Sequence, residues 1–297
     1  MAHVVTEAHA VDESATVNRQ TLRDHVRSTL TRLSRTGELP ALPAAATAAL
    51  GIARDPDAGV EALTQVIRRD VGLSARILRA ANSAAYARRV PARSLGEAVL
   101  TLGLRRTCDL LVAAGARQLF RQIPNQAERL WNHALASALV AEELARETAA
   151  CDPHLVFLPA LFHDVGRIAF LLADDEAFAA VHPGDREATV AADAERAWYG
   201  FDHAEAGAIL AEDWGLVHEQ VDAIRWHHQP SQAEQGLVQS AILNVADAGA
   251  YTMGYGGGAA RVIDQPGRDV LRLTAERHAA AMLAARENFA LHRDLFG

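Results

Sequence analysis

Seven residues between positions 133 and 247 carry side chains of the kind that hold divalent cations: His133, His163, Asp164, His203, His227, His228 and Asp247. Imidazole and carboxylate together suit Zn, Mn, Fe or Ni, and no cysteine lies among them to favour a softer ion. The densest point is Leu155-Val-Phe-Leu-Pro-Ala-Leu-Phe-His-Asp-Val-Gly-Arg-Ile168, an apolar run that carries His163 and Asp164 and leads straight into Gly166 and Arg167. A charged pair at the end of a core-grade segment is costly unless something compensates it. A bound cation would do so, with His163 and Asp164 as two of its ligands; a salt bridge or hydrogen bonds would do so too. A lone histidine on an apolar face is usually a hydrogen-bonded core residue, so the weight falls on the company these residues keep. Arg167 has two open roles, contact with a phosphate or a salt bridge to a nearby acid.

Helices must position these groups, because apolar residues recur at helical spacing and no useful strand-like alternation occurs. The fold class expected is all-α. Residues 1–17 are small, polar and aperiodic, which predicts frayed chain. Helices are expected at Asn18–Arg35, Ala44–Arg54, Val60–Arg69, Leu73–Asn82, Ser94–Leu102 and Arg105–Phe120. Ser94 with Glu97 three residues later has the form of a capping box. A break at Ile123-Pro-Asn125 divides the chain. Beyond it the pattern predicts Ala127–Thr148, one helix for the apolar run, then Glu187–Tyr199, His203–Trp214, Val217–His228, Leu237–Tyr251 and a single long helix Asp269–Phe296. A loop is expected around His182-Pro-Gly-Asp185 and a turn at Gly254-Tyr-Gly-Gly-Gly258. Each of the seven candidate ligands falls within or at the end of one of these helices.

Composition narrows the function classes. All 29 cationic residues are Arg, and the net charge of −8 argues against indiscriminate nucleic-acid binding by the whole molecule. Charge is uneven: Gln65–Arg106 holds nine Arg against Asp70 and Glu97, a net of +7, which leaves −15 over the remainder. A solvated face is the default reading of such a run, and contact with an acidic partner the sharper one. Cys108 and Cys151 form neither a metal motif nor a disulfide framework, as in a reducing compartment. No apolar run approaches the roughly 18 residues of a membrane helix. The first residues lack a basic–apolar leader pattern. The expectation is a soluble cytoplasmic protein with no membrane association.

Five segments are similar to the HD superfamily of metal-dependent phosphohydrolases: Trp131-Asn-His133, Leu161-Phe-His-Asp-Val-Gly-Arg167, Asp202-His-Ala-Glu-Ala-Gly207, Trp226-His-His228 and Ala246-Asp247. In the first half, Leu39-Pro-Ala-Leu-Pro43, Ile67-Arg-Arg-Asp70, Leu78-Arg-Ala-Ala-Asn-Ser83 and Ala98-Val-Leu-Thr-Leu-Gly103 resemble the HDOD domain, the HD-related output domain of bacterial signalling proteins. This resemblance covers roughly residues 38 to 250. It implies an HD-type helical bundle with an N-terminal helical lobe, divided as 1–37 (an extension with one helix), 38–124 (the N-terminal lobe) and 125–297 (the HD-like lobe).

The resemblance also implies roles. His133, His163, Asp164 and Asp247 stand at the superfamily's metal positions. His203, His227 and His228 stand where the HD-GYP cyclic-dinucleotide phosphodiesterases complete a bi- or trinuclear site. Asp164 would bridge two ions, and Arg167 stands where that family places a phosphate-binding Lys; these two are the catalytic candidates. The implied cofactor is a divalent metal, Fe, Mn, Zn or Ni, mono- or dinuclear. The chain departs from the HD-GYP pattern twice. Arg129 replaces a ligand Glu, with Glu128 one place off, and Gln229-Pro-Ser231 replaces the signature after the His pair. HDOD domains have usually lost several of these residues and are regarded as regulatory modules. The function expected is therefore a bacterial signalling module that retains a metal site and has a signalling protein as partner. The alternative is a metal-dependent phosphohydrolase or phosphodiesterase acting on a nucleotide or cyclic dinucleotide.

Overall fold

The computed structural model describes residues 21, 24–32, 40–83, 86, 90–123, 126–173, 178–179, 188–256 and 265–296. Among them there is no strand, and the chain is all-α. Residues 24–32 are helical and bury Val26 and Leu30. Then follow α1 (Ala44–Arg54), α2 (Val60–Arg68), α3 (Val71–Ala81), α4 (Leu95–Leu102) and α5 (Leu104–Arg121). The second half holds α6 (Ala127–Thr148), α7 (His154–Phe162), α8 (Val165–Ala173), α9 (Ala188–Tyr199), α10 (His203–Asp213), α11 (His218–Arg225), α12 (Leu237–Thr252), α13 (Gln265–Leu271) and α14 (Ala275–Phe296). The expected loop at 182–185, the frayed stretch 1–17, Pro124 and Asn125 lie outside the described residues.

Several helix ends follow from local chemistry. Asp70 caps α3 by accepting from the Leu73 N–H at 3.0 Å, and Asp202 caps α10 by accepting from Glu205 N–H at 2.8 Å. Ser94 accepts from Glu97 N–H at 3.2 Å, but the Glu97 carboxylate reaches back to Arg93 N–H at 2.7 Å rather than to Ser94. The capping box is thus displaced by one residue on its return arm.

The long helix α6 is the spine, packed by α5, α7, α12 and α14. Its small residues Ala134, Ala136, Ala138 and Ala141 are all buried, which lets neighbouring helices approach closely. The same logic holds where α1 crosses α5: a Cβ added to Gly115 would lie 2.6 Å from the Ala46 Cβ. The buried apolar side chains form one continuous cluster running through both halves.

Three expected helices differ. The run around His163 and Asp164 is two helices, α7 and α8, with the pair in the turn between them. Pro159 removes one backbone donor inside α7, and the His163 ring takes the Ala160 carbonyl at 2.7 Å in place of a helical N–H. The C-terminal helix is likewise two pieces, separated where Arg272 adopts a positive φ of 48°. The helix expected to reach His228 stops at Arg225, which leaves Trp226, His227 and His228 in a turn. Against the expectation that no apolar run approaches membrane-helix length, His154–Leu172 is by length and composition apolar enough to cross a membrane, because His163 and Asp164 are too few to offset its apolar residues. Its most apolar stretch is 83% buried against the other helices, so here it is a core segment.

Candidate metal centre

Helices α6, α10 and α12 and the turns after α7 and α11 bring all seven candidate residues to one place. His133 projects from the middle of α6, Asp247 from α12, His203 from the first turn of α10, and His227 and His228 from the turn after α11. Every one except the half-buried His228 is buried.

The donors divide into two groups that share Asp164. In the first, His133 Nε2 lies 3.3 Å from His163 Nε2 and 3.2 Å from Asp247 Oδ1. Asp164 Oδ2 stands 3.6 Å from each of these two imidazole nitrogens. In the second, His203 Nε2 lies 2.9 Å from His228 Nε2 and 3.3 Å from the other carboxylate oxygen, Asp164 Oδ1. His227 sits between the groups, its ring 5.1 Å from that of His163 and 3.9 Å from that of His228.

The far sides of the rings fix which nitrogen faces inward. Nδ1 of His133 donates to the Tyr255 carbonyl, that of His163 to Ala160 and that of His227 to Ile224, each at 2.7 Å. Nδ1 of His203 donates to Glu195 Oε2 at 2.5 Å, and the same oxygen accepts the His203 backbone N–H at 2.7 Å. With Nδ1 committed as the donor, a ring in its neutral form turns an Nε2 lone pair toward the others. His133 and His163 therefore bring two acceptor nitrogens to 3.3 Å, with two carboxylates beside them.

The electrostatic surroundings fix the state of two of these groups, Asp164 and His227. Burial works against a charged Asp164, yet Arg167, His163, His203 and His133 overcome it and hold the carboxyl well below its ordinary range. Burial, then His163 and His203, hold His227 well below the usual imidazole range and keep it neutral. Its Nε2 is buried without a hydrogen-bond partner. Such an orphan atom calls for an explanation, and a cation is one. The donor set fits: separations of 2.9–3.8 Å between donors are those found around an ion bound at about 2.1 Å by nitrogen and oxygen.

Arg167 takes the second of its two open roles. Its Nη1 donates to Asp164 Oδ2 at 2.9 Å, and its Nε lies 3.9 Å from Glu195 Oε1. Burial opposes its charge, while Asp164, Glu195 and Tyr251 raise its pKa. The position that departs from the HD-GYP pattern adds no carboxylate, since Glu128 pairs with Arg117 and Arg129 turns to Gln126. On the outer side, His228 borders a cavity of about 260 Å³ that is also lined by Arg196, Arg225, Trp226 and Phe201.

Glu195, Tyr251 and the Tyr255 carbonyl belong to this constellation but were not among the sequence candidates. Glu195 alone offered a signal, as an acid on an otherwise apolar helix face eight residues before His203.

The fold and the shared carboxylate define an HD-type helical protein. A family model for the HDOD domain matches residues 39–230, and the chain belongs to that family. An uncharacterized protein of Treponema pallidum (strain Nichols) is 26% identical over 236 residues, which is 76% of this chain and 46% of the relative. The chain thus spans about half the length of that relative. Among solved structures, an HDOD domain protein of unknown function from Geobacter sulfurreducens superposes with a TM-score of 0.70 at 23% identity, covering 95% of this chain and 97% of its own. A Marinobacter aquaeolei VT8 protein, provisionally assigned to signal transduction, gives 0.73 at 22%, covering 94% and 66%. A Shewanella amazonensis SB2B protein, provisionally called a metal-dependent phosphohydrolase, gives 0.61 at 18%, covering 92% and 99%. These structures share the fold.

Proposed function

We propose that this HDOD protein is a signal-transduction module built around a dinuclear divalent-metal site. His133, His163, Asp164 and Asp247 hold one ion, and Asp164, His203, His227 and His228 the other. The observation that carries this reading is the position of Asp164, whose two oxygens face two separate groups of inward imidazoles. A vestigial polar network would have no need of five converging rings of which four have their far nitrogens tied to acceptors. In the module, the ions hold α6, α10, α12 and the α7–α8 turn in register, so that occupancy sets the shape offered to a signalling protein.

A second reading is a phosphohydrolase acting on a nucleotide or cyclic dinucleotide. It is favoured by the bridging carboxylate, by Arg167 beside it and by the cavity that reaches His228. A divalent cation here supplies the Lewis acidity that activates water against a phosphate ester. The protein's own part would be to orient the rings through Glu195 and the backbone carbonyls, and to steady an anion with Arg167 once that side chain leaves Asp164.

Elemental analysis of protein purified without added metal, and again after reconstitution, tests the shared premise. One to two ions per chain are expected, with loss of at least one in Asp164→Ala. Less than one ion per chain after reconstitution sinks the ligand assignment. A phosphodiesterase screen with Mn then separates the readings. Turnover abolished by Asp164→Ala establishes the enzyme, whereas bound metal without turnover leaves the module.

A further inference from the structure

A cavity outside the metal centre lies where α3 and α5 meet α14. Its volume is about 130 Å³, and Ala80, Leu110, Leu291 and Leu295 give it apolar walls. Arg79 and Asp294 also line it. Both are exposed and they carry opposite charges, so they mark its mouth and favour neither an anion nor a cation. The remaining polar residues on the wall are Ser83, Tyr86 and His292.

Two of these three are already engaged. The Tyr86 hydroxyl oxygen accepts from Arg106 Nε, while His292 accepts from Arg106 at Nε2 and donates through Nδ1 to the Asn288 carbonyl. Ser83 differs, because its Oγ is buried without a hydrogen-bond partner. Ordered water is poorly held on such a wall, since it needs roughly two to four polar partners. A charged molecule fares no better, because little here repays its desolvation. Cavities of about 150 Å³ with apolar walls stay dry and take up molecules the size of benzene. A serine side chain turns readily between staggered positions, so a ligand hydroxyl would give Oγ the partner it lacks.

We infer that this cavity binds a small neutral molecule of the phenol class, with a hydrocarbon body of about six to eight carbon atoms and one hydroxyl. The body fills the space between Ala80, Leu110, Leu291 and Leu295, and the hydroxyl bonds to Ser83. Tyr86 and His292, which share the wall, also hold Arg106. An occupant therefore bears on the junction between the helices before and after residue 124, and gives a signalling module an input separate from the ions. The site is independent of the metal reading, since none of the seven candidate ligands lines it.

Calorimetric titration of the full chain with phenol and with benzene, in EDTA so that no bound metal contributes, provides the test. Saturable binding of phenol is expected, with benzene weaker. Ser83→Ala should lower the phenol affinity about threefold to tenfold and leave that of benzene unchanged. Ala80→Leu fills the space from α3 and should abolish binding of both probes, with a urea midpoint that is unchanged or higher. If Ala80→Leu does not fold, Ser83→Ala decides alone, since it removes a single oxygen atom. No saturable binding of phenol, equal affinity for the two probes, or a phenol affinity unchanged in Ser83→Ala overturns the site.

Discussion

At the scale of single residues, the site depends as much on what holds the rings as on the rings themselves. Glu195 is fully buried and accepts both the ring and the backbone N–H of His203. Removing such an outer partner typically lowers metal affinity by about 10–100-fold. Glu195→Gln keeps the size and one acceptor but loses the charge. Its affinity, read by competition with a chromophoric chelator, should fall within that range while circular dichroism stays unchanged; wild-type affinity would show that His203 needs no such support. The seven ligand candidates were legible in the sequence because His and Asp are conspicuous against apolar helix faces. Glu195 is conspicuous in the same way, as an acid on an apolar face, but its partnership with His203 is made across the turn at residues 200–202 and no sequence period encodes it. The Tyr255 carbonyl was invisible, because a backbone oxygen has no letter of its own.

At the scale of elements, boundaries were readable where Pro set them, as at Ala44–Arg54 between Pro43 and Asp55-Pro56. They failed where a side chain competes with the helix from within. His163 takes a backbone carbonyl and splits the apolar run, and that split is what lets Asp164 face both groups of rings. The position of α10 against this turn rests on Gly166, where an added Cβ would lie 2.1 Å from the His203 carbonyl oxygen. That contact is with backbone and cannot be relieved by a rotamer change. Gly166→Ala must therefore push the start of α10 away, at a cost of about 1–3 kcal/mol for overpacking. We expect a lower urea midpoint together with loss of the ion bound by His203, His227 and His228, although no ligand has been replaced. A variant with wild-type midpoint and full metal content would show that α10 is free to shift.

For the molecule as a whole, the question is how the helices before and after residue 124 are held together. Apolar packing is continuous between them, but a buried polar link also crosses the boundary. Arg106 on α5 donates to both oxygens of Glu142 on α6, at 3.1 and 3.0 Å, and through Nη2 to His292 Nε2 on α14 at 2.8 Å. Its Nε donates to the Tyr86 hydroxyl at 2.9 Å. The His292 Nδ1 donates to the Asn288 carbonyl, so Nε2 must stay unprotonated to accept from Arg106. Burial and the neighbouring Arg106 push the His292 pKa down to about 4. An unfolded chain takes up that proton near pH 6.5. Between these values the unfolded form binds more protons, so this residue's contribution to stability falls as pH drops from about 6.5 and levels off below about 4. The span corresponds to about 3 kcal/mol. Asp109 and Glu143, whose burial raises their pKa values, pull in the opposite direction over part of the same range. The informative quantity is therefore the difference between wild type and His292→Gln, which keeps an acceptor for Arg106 but cannot titrate. Urea unfolding in EDTA should show that difference shifting toward the variant by about 3 kcal/mol between pH 7 and pH 4. Parallel pH profiles for the two proteins would remove His292 as the acid-sensitive point in the link between the two halves.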